Sequence, residues 1–366
     1  MGAFYNKALT KLTSTTTVGP DFSETTSDFP LSPGEPLKPL IEKLERKPDV
    51  ILCFYSKPDY FPPDLWEINI PKIWYVYDTH LHFDELSTTA YLFDLVICTD
   101  EPTKEKMIHA GIENATSLGF AADKDFYYRE YQANKPRKYQ IGFAGNLANI
   151  PQFQTRRALI RQLQKKYDVK VIEHHTFSGA AVGDFYQDCQ LVLNHAIKDD
   201  LNMRVPEVLL SGRPLVTPNV TGIELQYKDS EHLFIYENNN IEELIDRLLA
   251  APDQAELVAQ QGQNWVLNNH TYDQRAQDLL EKINDLILKF KAGQIPHKNK
   301  QLKQFAQFNY HRFRYIGDGL TWLNHHWEPK NAPEKALKLI LKAFILSLKV
   351  ISKASKRPYF QDNKGN

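Results

Sequence analysis

Short apolar segments alternate with longer amphipathic segments along most of this chain, and this alternation constrains the fold more than any other feature. The apolar segments are rich in Val, Ile and Tyr and have the length of strands that are buried on both faces. In the segments between them, apolar residues recur at spacings of three and four, as in amphipathic helices. The pattern predicts an α/β protein with parallel sheets covered by helices. The predicted strands are residues 50–55, 73–77, 94–99, 139–145, 169–173, 190–194, 214–218 and 232–236.

The length of 366 residues favours two domains, because single domains usually have about 100 to 200 residues. A polar, charged segment separates two series of strands and helices, and it indicates the boundary. We predict an N-terminal Rossmann-like domain at residues 1–125, a linker at 126–138, a second Rossmann-like domain at 139–290 and an extension at 291–366. Two such domains would place a cleft between the carboxyl ends of their sheets. The chain opens on a predicted helix, so the first sheet either lacks its usual first strand or begins differently.

Composition narrows the class of protein. A charged content of 24% and a net charge of −1 give no reason to expect nucleic acid as a partner. The three cysteines, Cys53, Cys98 and Cys189, lie in apolar surroundings without CxxC spacing, which is typical of small core residues in a reducing compartment. The first residues lack the apolar core of a signal peptide. We therefore expect a cytoplasmic protein.

The extension at residues 291–366 is basic, with 15 Lys and Arg against 4 Asp and Glu. Residues 333–357 predict a helix with a narrow lysine stripe and an apolar remainder, which is too interrupted by charge to span a bilayer. Two interpretations stay open. The helix docks on the first domain, or it lies at the inner face of the membrane on an anionic surface.

The segment NMRVPEVLLSGRPLVTP, residues 202–218, predicts a very short helix followed by a buried strand. Pro206 suits the first helical turn, and Gly212 suits the position after the helix end. The guanidinium of Arg204 has paired N–H donors that can form bidentate hydrogen bonds with a diphosphate. Glu207 has the wrong charge for phosphate but can accept hydrogen bonds from ribose hydroxyls. The alternative is that Glu207 complements the helix dipole and pairs with Arg204.

Several motifs follow this helix in a fixed order. They are N-M-R-x-x-E at 202–207, G-R-P-L-V at 212–216, G-x-E at 222–224, D-x-E-H-L at 229–233 and H-T-Y-x-x-R at 270–275. In this order they resemble the carboxyl-terminal half of GT-B-fold glycosyltransferases, in particular the branch similar to the spore maturation protein CgeB, within glycosyltransferase group 1 or family 4. The first half agrees, so the resemblance spans roughly residues 4–285.

The resemblance implies transfer of a sugar from a nucleotide-sugar donor to a glycan, a glycolipid or another acceptor. It also implies retention of configuration and no metal ion or other cofactor. Glu207 falls on the glutamate that holds the ribose, and Arg204 and the Gly145 loop fall near the diphosphate. The donor-binding residues that it implies are Gly145, Asn146, Arg156, Arg157, Asn202, Arg204, Glu207, Thr221, Gly222 and Glu224.

Three further residues are candidates for catalysis. His80 follows a predicted strand in a loop, where its imidazole would bond the transferring sugar or act as base on the acceptor. Asp78 could take either role or orient the ring, and the alternative is a solvated surface loop. Asp199 lies eight positions before Glu207, where many retaining members have a first glutamate. It is either a shorter substitute or an ordinary loop acid.

A second function competes with transfer. The aspartate at position 199 and the unusual start of the first domain are also typical of a non-catalytic descendant. Such a protein would bind a nucleotide sugar or a glycan, or act as a scaffold for other enzymes.

Overall fold

The structure, a computed structural model, describes residues 1–19, 27–32, 34–54, 61–132, 135–173, 180–237 and 240–295. This part of the chain forms two compact units, each built around one parallel sheet. Among the described residues, the four-stranded unit contains those within 16–98, 104–116 and 282–295. The five-stranded unit contains residues 1–15, 99–103 and 117–281.

The four-stranded unit has the strand order β3-β4-β5-β6. Its strands and helices are α2 (Lys38–Lys43), β3 (Ile51–Cys53), β4 (Lys72–Val76), α3 (Thr79–Ala90), β5 (Leu95–Cys98), α4 (Glu101–His109) and β6 (Ala115–Ser117). Two further strands of two residues each, β1 (Val18–Gly19) and β2 (Phe29–Pro30), pair in parallel in a separate small sheet. The aromatic rings of Phe61, Trp74 and Phe93 pack with centroids 5.1–5.3 Å apart and form the centre of the core.

The five-stranded unit has the strand order β11-β10-β9-β7-β8, and every strand pair in it is parallel. Its strands are β7 (Tyr139–Ala144), β8 (Val169–Ile172), β9 (Cys189–Leu193), β10 (Leu215–Pro218) and β11 (Phe234–Tyr236). Its helices include α1 (Gly2–Leu9), α5 (Lys124–Tyr127), α6 (Gln154–Leu163), α7 (Ala180–Gln187), α8 (Arg204–Leu210), α9 (Ile241–Ala250), α10 (Pro252–Asn269) and α11 (Tyr272–Lys291). Burial of both sheet faces explains why its strands are almost purely apolar in sequence.

All eight predicted strands are confirmed, with ends that differ by at most two residues. The sequence pattern missed β6, because its three residues are small and polar and give no apolar run. One prediction was wrong: the segment that contains His80 is the first turn of α3 rather than a loop. Asp78, with a left-handed φ of 58°, turns the chain directly from β4 into this helix.

The first fifteen residues pack in the five-stranded unit, although they were predicted to belong with residues 1–125. The Phe4 ring lies 5.3 Å from that of Phe126 and 5.0 Å from that of Tyr272. Lys7 forms an ion pair with Asp123 at 2.9 Å. Helix α1 therefore covers the start of α11 and the α5 turn.

All but the first five residues of the predicted extension lie outside the described residues, including the predicted helix at 333–357. No helix in the described part of the chain is both long and apolar enough to cross a membrane. The three cysteines are buried and unpaired with one another, as predicted.

Candidate functional site

The carboxyl ends of the strands in the five-stranded sheet bring together most of the polar residues singled out in this unit. Gly145 follows β7, Asn194 follows β9, and Tyr236 is the last residue of β11. Because parallel strands end at the same edge of a sheet, these groups lie together. The loop after β9 leads into α8, which carries Arg204 to this edge and Glu207 on its buried side.

Helix α8 is as short as the sequence predicts. It begins at Arg204, whose backbone N–H donates to Oδ1 of Asn202 at 3.1 Å. It ends before Gly212, whose φ of 71° lies in the left-handed region that favours glycine. The residues from Val205 to Leu210 are buried, so the helix is fixed rigidly behind the site.

The Arg204 guanidinium lies against the loop after β7. Its Nη1 donates to Oδ1 of Asn194 at 2.6 Å, and its carbon lies 5.0 Å from the centroid of the Phe143 ring. A Cβ atom at Gly145 would lie only 2.7 Å from Nη2 of Arg204. Glycine at position 145 is therefore what permits the close approach of the guanidinium to this loop.

Asn194 is a site residue that the sequence patterns did not indicate. Its side chain is 1% exposed, donates to the Thr217 hydroxyl at 3.0 Å and accepts from Asn202 at 3.2 Å and from Arg204. These bonds connect β9, β10 and α8 at the sheet edge. The available signal was a polar residue that ends an otherwise apolar strand.

Arg156 is the second guanidinium at this edge. It is buried, donates to the carbonyl oxygens of His195 at 2.8 Å and Asn146 at 3.1 Å, and lies 5.5 Å from the Phe143 ring centroid. Burial, together with the charge of Arg204, lowers the pKa of Arg156 to about 10. Neither guanidinium has a carboxylate within ion-pair distance in the described ranges, although the charge of Asp200 acts on Arg156 and that of Glu207 interacts with Arg204.

His195, whose carbonyl oxygen accepts from Arg156, was also missed from sequence. Its Nδ1 is 2.8 Å from the hydroxyl of Tyr236. Burial first, and then the charges of Arg156 and Arg204, lower the pKa of His195 to about 4. The ring is therefore neutral at physiological pH.

Glu207 lies on the buried side of α8. Its carboxylate is only 5% exposed and is hydrogen-bonded to the hydroxyl of Tyr127. Burial raises the pKa of Glu207 to about 7, although Arg204 and the Tyr127 hydroxyl favour the charged form. The ring of Tyr186 is fully buried beside the same carboxylate. Both tyrosines are partners that no local sequence pattern identifies.

Asp199 and Thr221 tie together the loops after β9 and β10. The Thr221 backbone N–H donates to Oδ1 of Asp199 at 2.7 Å, and its hydroxyl donates to Oδ2 at 2.5 Å. Gly222 follows with a φ of 86°, and a Cβ there would lie 2.9 Å from Pro102. Glu224 is exposed on the next turn. Both oxygens of Asp199 are thus engaged in holding the loop that carries Thr221.

The remaining predicted donor residues organise the loop after β7. Oδ1 of Asn146 accepts from the backbone N–H of Ala148 at 2.7 Å. Arg157 donates to the carbonyl oxygens of Ala148 and Ile150. These bonds shape the loop itself, and in the described part of the chain no hydrogen bond or ion pair joins Arg157 to Arg156 or Arg204.

Asp78 and His80 belong to the four-stranded unit. They follow β4 at the carboxyl edge of the four-stranded sheet, just as Gly145 and Asn194 follow their strands at the carboxyl edge of the five-stranded sheet. Asp78 is exposed, His80 is half-buried in the first turn of α3, and His82 interrupts the helix with a φ of −135°. A left-handed aspartate at a strand end is a strained backbone position of the kind that clusters at functional sites.

Several residues of the motifs at 212–216, 229–233 and 270–275 stabilise the fold. Buried Arg213 pairs with Glu256 at 2.7 Å and donates to the carbonyl of Cys189. Asp229 accepts from the N–H of Ile235 at 2.8 Å. Arg275 donates to the carbonyl of Gly119 at 2.9 Å and so fixes the segment before α5 to α11. Arg213 holds the amino-terminal end of β9, opposite the charged edge, so these motif residues stabilise the unit rather than form the site.

Comparisons with known proteins agree with this architecture. Residues 136–281 match the protein family described as glycosyl transferase-like. Anabaena HepE in complex with UDP is 13% identical, with a TM-score of 0.53 over 70% of this chain and 85% of that chain. Sucrose-phosphate synthase from Thermosynechococcus elongatus is 13% identical, with a TM-score of 0.51 over 69% of this chain and 76% of that chain.

The fold is GT-B. The GT-B fold predicted from the resemblance is thus confirmed, with one Rossmann-like sheet in each unit. No curated protein matches the chain in sequence, and the CgeB-like branch stays a prediction. The match to the glycosyl transferase-like family covers the five-stranded sheet and therefore all the residues gathered at its edge.

Proposed function

We propose that this protein is a glycosyltransferase that binds a nucleotide-sugar donor at the edge of its five-stranded sheet. The observation that supports this most strongly is the pair of guanidinium groups of Arg156 and Arg204, which share the Phe143 ring without an ion-pair partner in the described part of the chain. A diphosphate would supply the missing negative charge. Glu207, one turn away on α8, would accept hydrogen bonds from the ribose.

The nucleotide we propose is UDP. Two complexes of HepE, a protein with a similar fold, contain UDP and UDP-glucose. Specificity within a fold depends on individual side chains, so the same nucleotide is a proposal for this chain.

In the proposed reaction an acceptor hydroxyl attacks the anomeric carbon while the bond from that carbon to the diphosphate oxygen breaks. Arg204 would stabilise the charge that develops on the leaving diphosphate. His80 and Asp78 of the four-stranded unit are proposed to bind the transferring sugar or to accept the proton of the acceptor hydroxyl. We further propose that the configuration is retained and that no metal ion is needed.

Release of nucleoside diphosphate tests this function. The full chain is incubated with UDP-, GDP-, dTDP- and ADP-sugars, with EDTA or with Mg²⁺, and the free nucleotide is measured. We expect UDP release from one UDP-sugar, at equal rates with and without EDTA. Release that requires Mg²⁺ would contradict metal independence, and the absence of both release and nucleotide binding across the panel would contradict the function.

A non-catalytic, nucleotide-sugar-binding protein is the second candidate. The observation that favours it is Asp199, whose two oxygens are both bonded to Thr221 rather than held free for chemistry. Tight binding of a UDP-sugar with no release of UDP would support this candidate over a transferase.

We propose that the basic extension brings the protein to the inner face of the membrane, where a lipid-linked or cell-envelope acceptor would be found. Lysines on a narrow stripe favour contact with anionic headgroups. We expect the full chain to co-sediment with vesicles rich in phosphatidylglycerol but not with phosphatidylcholine vesicles, and a chain that ends at residue 329 to lose this binding. Unchanged binding by the shorter chain would leave docking on the first domain as the role of the extension.

A further inference from the structure

Asn194 directly follows β9, and its side-chain amide is buried at the carboxyl edge of the five-stranded sheet, with 1% of the residue exposed. Burying an amide is unfavourable unless its oxygen and its nitrogen both find partners. Oδ1 accepts from Nη1 of Arg204 at 2.6 Å and from the Asn202 side chain at 3.2 Å, and Nδ2 donates to the Thr217 hydroxyl at 3.0 Å. Both ends of the amide are engaged, so the side chain is held in one orientation.

The chemistry of the partners fixes which end of the amide meets Arg204. A guanidinium has donors and no acceptor, so the amide atom that accepts from Nη1 is the oxygen. The amide nitrogen then lies toward Thr217, whose hydroxyl accepts its hydrogen bond. Arg204 is therefore bonded to an oxygen that carries no formal charge.

The guanidinium of Arg204 is restrained both at its edge and on its face. Nη1 at the edge is bonded to Asn194, and the face lies 5.0 Å from the centroid of the buried Phe143 ring. An arginine side chain otherwise has large rotamer freedom, which a ligand would have to remove on binding. These two contacts reduce that freedom before a ligand binds.

The neutrality of the Asn194 oxygen affects how strongly Arg204 can attract an anion. Aspartate has nearly the same shape, and the Thr217 hydroxyl can rotate to donate, so a carboxylate would fit the same partners. It would place a negative charge in direct contact with the guanidinium and pair with it. The amide restrains Arg204 in the same way but adds no negative charge.

We propose that Asn194 is a positioning residue, whose neutral oxygen holds Arg204 in place for the diphosphate of the donor without neutralising its charge. That the anion belongs to a nucleotide sugar rests on the proposed function. The anion itself must accept hydrogen bonds from a guanidinium, as the oxygens of phosphate and diphosphate do.

Asn194→Asp tests the role of charge with little change in shape. Binding of inorganic pyrophosphate, UDP and uridine to the full chain is measured by calorimetry, and stability by urea unfolding. We expect the affinity for pyrophosphate and UDP to fall roughly tenfold to a hundredfold, the effect of losing one charge-assisted hydrogen bond. Uridine has no phosphate and should bind with native affinity. The urea midpoint should not fall, because the new carboxylate has a cationic partner.

Asn194→Ala tests the hydrogen bond itself. It removes the acceptor of Arg204 and Asn202, so it should lower both the pyrophosphate affinity and the urea midpoint. The matched control for added charge is Asn268→Asp on the exposed surface of α10, which should bind pyrophosphate as the native chain does. Native pyrophosphate affinity in a folded Asn194→Ala chain would overturn the positioning role.

The outcomes for Asn194→Asp separate this inference from the proposed function. Pyrophosphate affinity within about threefold of native overturns the inference. So does an equal loss for uridine and UDP with a lowered urea midpoint, which would indicate that Asn194 only supports the fold. If pyrophosphate binding falls as expected but no nucleotide binds, the proposed function fails and this inference stands. If the native chain releases UDP from a UDP-sugar and Asn194→Asp binds UDP with native affinity, the function stands and this inference fails.

Discussion

Replacing Glu207 by Gln is expected to weaken UDP binding by at least about a hundredfold and to raise the stability of the folded chain at pH 8. The carboxylate is proposed to accept two ribose hydroxyl hydrogen bonds, and bonds to a charged acceptor contribute roughly 1.5–3 kcal/mol each. The same carboxylate is buried, and the native fold bears the cost of its charge at alkaline pH. Binding and stability should therefore change in opposite directions.

The pH dependence follows from the raised pKa of Glu207. The ordinary value is 4.5 and the value in the folded chain is about 7. Between these values the folded state keeps a proton that the unfolded state has lost, so the contribution of this group to stability falls as pH rises. Relative to Glu207→Gln, the native chain should lose on the order of 3 kcal/mol between pH 4.5 and pH 7. UDP affinity should rise between pH 4.5 and pH 7, because the ionised carboxylate is the form that accepts the ribose hydrogen bonds.

Urea unfolding at pH 5 and pH 8 and calorimetric titration with UDP measure these effects. Glu243→Gln, an exposed glutamate in the first turn of α9, is the matched control and should change neither quantity. Native UDP affinity in Glu207→Gln would disprove the ribose-binding role. A stability difference that does not depend on pH would show that Glu207 ionises normally.

Replacing Arg204 by Ala is expected to lower the rate of UDP release from the donor by roughly a hundredfold to a thousandfold, the usual cost of removing a donor that stabilises transition-state charge. The loss has a second cause, because Oδ1 of Asn194 would lose its shortest hydrogen bond at the sheet edge. Arg204→Lys should restore little, since a single ammonium cannot form the two-pronged contact with a diphosphate or stack on the Phe143 ring in the same way.

Steady-state kinetics with the UDP-sugar identified by the panel measure this effect. Arg161→Ala removes an exposed arginine from α6 and is the matched control, with an expected rate close to that of the native protein. If Arg204→Ala binds UDP and turns over the donor at the native rate, the diphosphate site lies elsewhere.

Local pattern was enough to predict most of the fold. The strand at Tyr139–Ala144 and the others like it are apolar and bounded by turn residues, and both signals act over a few positions. The short helix α8 was predicted from Pro206 and Gly212, which act on the backbone of their own turn. Helix α3 was missed because its start depends on the left-handed backbone of Asp78, which the residue type alone does not require.

The site was predicted only in part. Arg204, Glu207 and Gly145 were identified from motifs in the sequence. The structure brings Arg204 close to Gly145. Arg156 was predicted as a phosphate contact, which stays a prediction, and the structure shows its donors bonded to the carbonyls of Asn146 and His195. Asn194, by contrast, has no local motif, because its importance comes from partners on other strands.

The sequence by itself determined most of the strands and helices, that the sheets are parallel, and that a short helix would carry an arginine and a glutamate. These properties depend on periodicity and backbone preference, which are local. Only the tertiary structure decided the state of the ionisable groups: burial raises the pKa of Glu207, and burial with the charges of Arg156 and Arg204 keeps His195 neutral. Burial and the distances between charges set those states, and both arise only when residues far apart in the chain meet at one sheet edge.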